Sequence, residues 1–355
     1  MSELSESHVG SGRAMTVLGP MAVDALGMTL MHEHILNDCS CWWNPPGPER
    51  AHLADAPVSA ALQWELRQDP FVNRDNIVLD DEADAIADLE LFVAEGGRTV
   101  VDPTCRGIGR NPSGLVRIAR ATGLNIVMGS GYYLASSHPP EVAALSEDAI
   151  ADQIVAEALE GVEGVRIGLI GEIGVSSNFP PDERRSLRGA ARAQARTGLP
   201  LMVHLPGWFR LGHEVMDIVE AEGADPRHTV LCHMNPSHDD FDYQRSLAAR
   251  GAFIEYDMLG MDYFYADQQV QCPDDGASAR AILRLFDAGF GERVLLSQDV
   301  FIKIMRTRHG GNGYAYVPRH FLPRLVRHGL DPAAAAALLH ANPARVFRTA
   351  TPETP

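Results

Sequence analysis

Lysine is almost missing from this chain: a single one, Lys303, stands against 29 arginines. That shortage excludes a lysine-derived metal ligand anywhere before position 303. Cysteine is scarce as well. The five (Cys39, Cys41, Cys105, Cys232 and Cys272) are an odd, scattered set without a CxxC pair. Such a set excludes a disulfide framework and suits reduced thiols, so a cytoplasmic location is expected. Cys39 and Cys41 have no nearby partners in the sequence and read as inert thiols rather than a metal pair. No run of about 18 apolar residues occurs, so no membrane-spanning helix is expected. Positive charge is in deficit, with a formal net charge of −17, which argues against a nucleic-acid partner. Residues 1–14 are polar and lack an apolar core. They read as a flexible lead-in rather than a signal peptide, ahead of a single domain over 15–350.

What is present is a regular alternation. Eight short β-branched or apolar runs read as strands, at 28–32, 99–102, 125–130, 166–172, 201–204, 229–233, 252–257 and 294–299. Between several of them lie helical patterns. In 81–95, Ala85, Ile86, Leu89, Phe92 and Val93 share one side at the spacing of a buried helix face. Residues 112–122 follow Asn111 and end at Gly123, a start and a stop signal. Residues 187–197 and 213–222 end in glycine in the same way, and an alanine-rich segment at 331–340 reads as the closing helix. Alternating strands and helices predict an α/β fold, and eight such units predict a (β/α)8 TIM barrel. The stretch 39–77 is rich in Pro, Trp and polar residues and too long for an ordinary loop. It is expected to form a lid-like insertion after the first strand, with Trp42 and Trp43 helping to close a site.

The chemistry is carried by residues at the expected strand ends. His32 and His34 straddle Glu33 at the end of the first strand, where alternation places both imidazoles on one face about 7 Å apart, a spacing that can grip one metal ion. His204, His233 and Asp299 end the fifth, sixth and eighth strands. In a barrel these ends converge on one mouth, and the neutral-imidazole and carboxylate set suits zinc or a similar divalent ion. These five ligands leave two ions without a bridge. Glu172, at the end of the fourth strand and of the same parity as Gly168 and Ile170, is the candidate bridge, since no lysine is available there. Tyr132, or alternatively Tyr133, in the turn Gly129-Ser130-Gly131 after the third strand is a candidate substrate contact.

At this point the sequence resembles the phosphotriesterase family of the amidohydrolase superfamily, over nearly the whole stretch from Thr16 to Phe347. The segments TVLGP, LGMTLMHEH, GLIGEIG, PLMVHLPG, VLCHM, LLSQDV and ANPARVF are similar to family landmarks in the right order. The resemblance implies His32, His34 and Asp299 on a more buried metal, His204 and His233 on a more exposed one, and Glu172 bridging, as in the branch that has glutamate in place of a carboxylated lysine. It places Lys303 near the site as a substrate contact, makes Arg110 a structural landmark and suggests a homodimer. Met258 departs from the family pattern, which often has His or Arg there. The implied function is binuclear metal-dependent hydrolysis of a small molecule. A bridging hydroxide would attack a lactone, ester, amide or phosphoester centre, with Asp299 accepting the proton and two Zn2+ (or Mn2+ or Co2+) as cofactors. Alternatives are a phosphotriesterase proper, a mononuclear deaminase, and a metal-binding barrel without turnover.

Overall fold

The computed structural model describes residues 12–348. Residues 1–11 of the expected lead-in lie outside the described part, as do 349 and 350 of the expected domain. From Arg13 the chain makes a hairpin, Arg13–Thr16 against Gly19–Ala22. Eight strands follow: β1 (Met28–Leu30), β2 (Gly97–Asp102), β3 (Asn125–Met128), β4 (Ile170–Gly174), β5 (Leu201–His204), β6 (Thr229–Leu231), β7 (Phe253–Tyr256) and β8 (Val294–Leu296). They pair in parallel as one run from β1 to β3 and another from β4 to β8.

Backbone bonds join the two runs. At one seam Gly168 N–H donates to Met128 O at 3.0 Å and Gly171 N–H to Ser130 O at 2.6 Å. At the other, Asp299 N–H donates to His32 O at 3.2 Å and His34 N–H to Val300 O at 3.1 Å. The sheet thus closes on itself as the expected (β/α)8 barrel.

Helices at Glu82–Ala94, Pro112–Thr122, Glu147–Leu159, Pro181–Thr197, Gly212–Ala221, Phe241–Ala249 and Asp275–Asp287 connect successive strands. Asp81 and Asn111 cap the first two, Asp81 accepting from the Ala83 and Asp84 N–H groups and Asn111 from that of Gly114, and Gly123 closes the second in a left-handed conformation. The helix expected at 187–197 starts six residues earlier, at Pro181. Its first turn is proline and carboxylates, good helix-starting chemistry that leaves no apolar period to read.

The strand bounds also differ from expectation. Several stop short, at residues 30, 128, 231, 256 and 296, because the chain leaves extended geometry where it turns into the mouth loops. The expected strand at 166–172 is found at Ile170–Gly174.

Met31, Val101, Val127, Leu169, Met202, Val230, Phe253 and Leu295 form a buried cluster of their own, one from each strand segment, that fills the barrel. The hairpin residue Ala14 and the final helix Ala341–Phe347, through Val346 and Phe347, join this cluster and plug its N-terminal end. The larger core lies between strands and helices. The insertion rises from a stem in which Asn37–Asp38 pairs antiparallel with Val78–Leu79, and consists of short 3-10 turns and one helix, Gln63–Arg67. No helix among the described residues is long and apolar enough to cross a membrane.

Glu33 holds the second seam. Fully buried, it accepts hydrogen bonds from Ser297 Oγ at 2.8 Å, Gln298 N–H at 2.8 Å, Gln298 Nε2 at 2.6 Å and Val300 N–H at 2.8 Å. Burial pushes its carboxyl up to about 7, against the pull of the Val300 and Gln298 N–H groups. An amide at this position would set its own NH2 against these donors. Glu33→Gln is expected to lower the unfolding free energy by about 3 kcal/mol, read from the urea midpoint. A change below about 1 kcal/mol would show that the seam closes without the carboxylate.

Candidate metal centre

The six strand-end residues meet at the C-terminal mouth. His32 and His34 leave β1 with ring centroids 5.4 Å apart, while Glu33 turns to the seam. His204 ends β5. His233 and Asp299 follow β6 and β8 in left-handed backbone, with φ of +56° and +51°. Non-glycine residues held this way carry about 1–3 kcal/mol of strain and concentrate at functional sites. The kink at His233 has a purpose. Val230 and Cys232 belong to the barrel interior, so strict alternation would turn His233 outward, and the kink brings its imidazole back.

Glu172 reaches the mouth by a different route from the one expected. Ile170 pairs with Leu201 but Ile173 with Val203, so β4 carries a bulge. Leu169, not Ile170, lies in the interior cluster. The parity argument from Gly168 and Ile170 therefore does not hold, and the extra residue of the bulge is what directs Glu172 inward. Gly129 allows the close approach of β3, since a Cβ there would sit 2.1 Å from Gly171 O.

Glu172 lies between two sets of imidazoles. Its Oε1 is 3.3 Å from His34 Nε2, and its Oε2 is 3.1 Å from His204 Nδ1 and 3.6 Å from both His233 Nε2 and His32 Nε2. Asp299 Oδ1 is 3.4 Å from His34 Nε2 and 3.6 Å from His32 Nε2. The buried cluster is geometrically compatible with a binuclear metal site. Two observations fit such a use. Nε2 of His32 and Oδ1 of Asp299 are buried without a hydrogen-bond partner, a costly state that a cation between them would relieve. The electrostatics of the cluster also suit positive charge. Burial acts to raise the Glu172 carboxyl, yet His32 and His204 hold it well below its usual range. Burial alone would lower His233, but Asp257 lifts it to about 10. His32 and His34 are also raised against their burial, whereas burial and His233 lower His204, and divalent ions would compete with protons at these nitrogens.

Below the cluster sits a carboxylate that the sequence reading passed over. Asp257 Oδ1 is 3.0 Å from His233 Nδ1 and Oδ2 is 3.2 Å from His32 Nδ1, and both oxygens accept from His233 N–H. It thereby orients two imidazoles from different sets. Its signal was available, because it ends an expected strand like the others. Glu255 lies beneath it, its carboxyl raised to about 8 by burial and by Asp257.

Above the cluster opens a cavity of about 480 Å³ into which His34, Glu172, His204, His233 and Asp299 face. Tyr133 lines it, with its hydroxyl 3.5 Å from His204 Nε2 and 3.2 Å from Trp42 Nε1. Tyr132 and Lys303 are not in its lining. The Tyr132 hydroxyl donates to Gln153 at 2.5 Å, and Lys303 Nζ lies 2.5 Å from Asp75. Trp42 lines the cavity, whereas Trp43 packs under Arg74. Arg110 makes a two-pronged pair with Glu157 at 2.6 and 3.0 Å, a structural arrangement.

An eight-stranded parallel barrel with this His, Asp and Glu cluster at its mouth defines an enzyme of the amidohydrolase superfamily. Within it, the chain belongs to the phosphotriesterase family, whose model matches residues 12–347. A crystal structure of a resiniferatoxin-binding protein from Rhodobacter sphaeroides is 67% identical, with a TM-score of 0.95 and 98% of each chain covered. The Escherichia coli phosphotriesterase homology protein, solved with phosphate in its active site, is 27% identical with a TM-score of 0.75, covering 91% of this chain and 99% of that one. An N-acetyltaurine hydrolase from Danio rerio is 32% identical over 94% of this chain and 97% of its own length.

Asp257→Asn is expected to weaken divalent-metal affinity by about 10–100-fold, measured by competition with a chromophoric chelator. Unchanged affinity would show that His32 and His233 need no such support.

Proposed function

We propose that the protein is a binuclear metal-dependent hydrolase that cleaves a small carboxyl derivative, an amide, ester or lactone, with water. One observation carries this reading: a single carboxylate, Glu172, set between two imidazole sets and facing an open cavity. His32, His34 and Asp299 would hold one ion, His204 and His233 the other, with Glu172 shared. Zinc, manganese or cobalt suits these donors and would supply Lewis acidity, making water nucleophilic at neutral pH and polarising a carbonyl.

The side chains divide the remaining work. Asp299 Oδ1 faces His32 and His34, while Oδ2 is 4.0 Å from His233 Nδ1 at the cavity floor. Asp299 takes the proton from the attacking water and passes it to the leaving group. Tyr133, which lines the cavity as Tyr132 does not, would donate a hydrogen bond to substrate oxygen. The loop residues that line the cavity above are largely apolar.

The name of the Danio rerio relative supports an acyl amide as the bond broken. A phosphoester is the second reading, favoured by the phosphate in the Escherichia coli structure. Binding without turnover is a third, favoured by the name of the Rhodobacter protein, but it gives no role to Asp299 in its strained, cavity-facing position.

Metal analysis of the wild type should give close to two ions per chain, and Glu172→Ala should retain no more than one. Asp299→Asn should lower kcat on an amide, ester or lactone substrate by about 10²–10⁴-fold while keeping its metal. Full turnover by that variant, or hydrolysis untouched by chelator, would overturn the mechanism.

A further inference from the structure

The wall of the cavity is rich in aromatic rings. Trp42 and Phe71 from the insertion stack with centroids 5.4 Å apart and planes inclined by 20°. Phe71 continues to Tyr265 at 5.1 Å and to Phe301 at 6.3 Å, and Tyr265 to Trp208 at 5.8 Å. All five line the cavity, as does Phe209, half of whose surface is exposed at the rim. The rings come from four separate mouth loops and form one continuous aromatic surface. Outside the metal cluster, every polar group in the lining is neutral, and no arginine or lysine is among the lining residues. Several cations on these loops pair elsewhere: Arg50 with Asp69, Arg74 with Asp55, Arg210 with Asp239 and Asp240, and Lys303 with Asp75.

Aromatic walls gain by covering flat apolar groups, whereas an ionised group without a paired cation loses its hydration for nothing. A volume of about 480 Å³ is within the range of pockets that enclose drug-sized ligands, so there is space for a ring beyond the scissile bond. We infer that the substrate is a neutral acyl compound bearing an aromatic or comparably apolar group, and not one ending in a sulfonate, carboxylate or phosphate. The inference rests on the hydrolase reading for the reacting bond, but takes its specificity from the wall alone.

A matched pair tests it: N-acetyl-2-phenylethylamine and N-acetyltaurine share the acetamide and the two-carbon spacer and differ by phenyl against sulfonate. The corresponding acetate esters of 2-phenylethanol and 2-hydroxyethanesulfonate form a second pair. With the zinc-loaded protein, kcat/KM should favour the phenyl member of each pair by at least about 100-fold. Calorimetry on chelator-treated protein, where nothing turns over, should show the same order of binding. Trp208→Arg, with metal content retained, should narrow the preference by about tenfold or more through both lost stacking and the added cation. Equal binding of the two members, or preference for the sulfonate, overturns the inference even if hydrolysis is brisk. A phenyl preference in binding with no hydrolysis of any member by the metal-loaded protein leaves the inference standing and overturns the hydrolase reading instead.

Discussion

The site depends on the closure of the barrel between β1 and β8. His32 and His34 lie near the start of the chain and Asp299 near its end, and only this seam makes them neighbours. Glu33 supplies the specificity of that joint. It stands between the two histidines in sequence, faces the other way, and gathers four donors from residues 297–300. A shift of one residue would exchange the faces, sending Glu33 to the mouth and the imidazoles into the wall. The same alternation that pairs His32 with His34 thus fixes the register that brings Asp299 to them.

Closure concentrates ionisable groups in a buried cluster, and carboxylates and imidazoles face one another within it. Glu172 is surrounded by imidazoles, and Asp257 binds the far sides of His32 and His233. The rings are therefore fixed from below by a carboxylate and aimed upward at another. The strain at His233 and Asp299 follows from the same requirement. Ordinary extended geometry would not bring both side chains to the floor of the cavity, and the hydrogen bonds from His233 to Asp257 and from Asp299 N–H to His32 O hold the kinks.

Much of this was legible in the sequence, and the failures have physical causes. The order of strands and helices, the strand-end clustering of His and Asp and the choice of Glu172 all follow from period, polarity and the missing lysine. Parity points to Glu172 for a reason that the structure replaces: alternation cannot register a bulge, because an extra residue in one strand leaves no mark on polarity. Asp257 was missed for a related reason. Its carboxylate serves other side chains rather than the cavity, and a residue of that kind looks the same in sequence as a helix cap. Tyr132 and Tyr133 are adjacent and chemically alike, so only the backbone path could separate the one that bonds Gln153 from the one beside His204.

The insertion explains how a wall made from distant loops can still discriminate. Although it overhangs the mouth like a lid, it is tied down along its length. Asn73 Nδ2 donates to Leu53 O and Ala56 O, and Asn76 Nδ2 to Pro70 O. The main chain of Lys303 and Ile304 donates to Asn76, while the Lys303 ammonium reaches Asp75. The sole lysine thus joins the insertion to the loop after β8, the loop that also carries Phe301. Phe71 and Phe301 are therefore positioned by one hydrogen-bonded unit, with Asp299 at its root. A surface built this way meets its ligand already ordered, so little of the contact energy is lost in arranging the rings. Selectivity and reactivity then share one foundation, since the segment that places the proton-accepting carboxylate also places part of the aromatic wall.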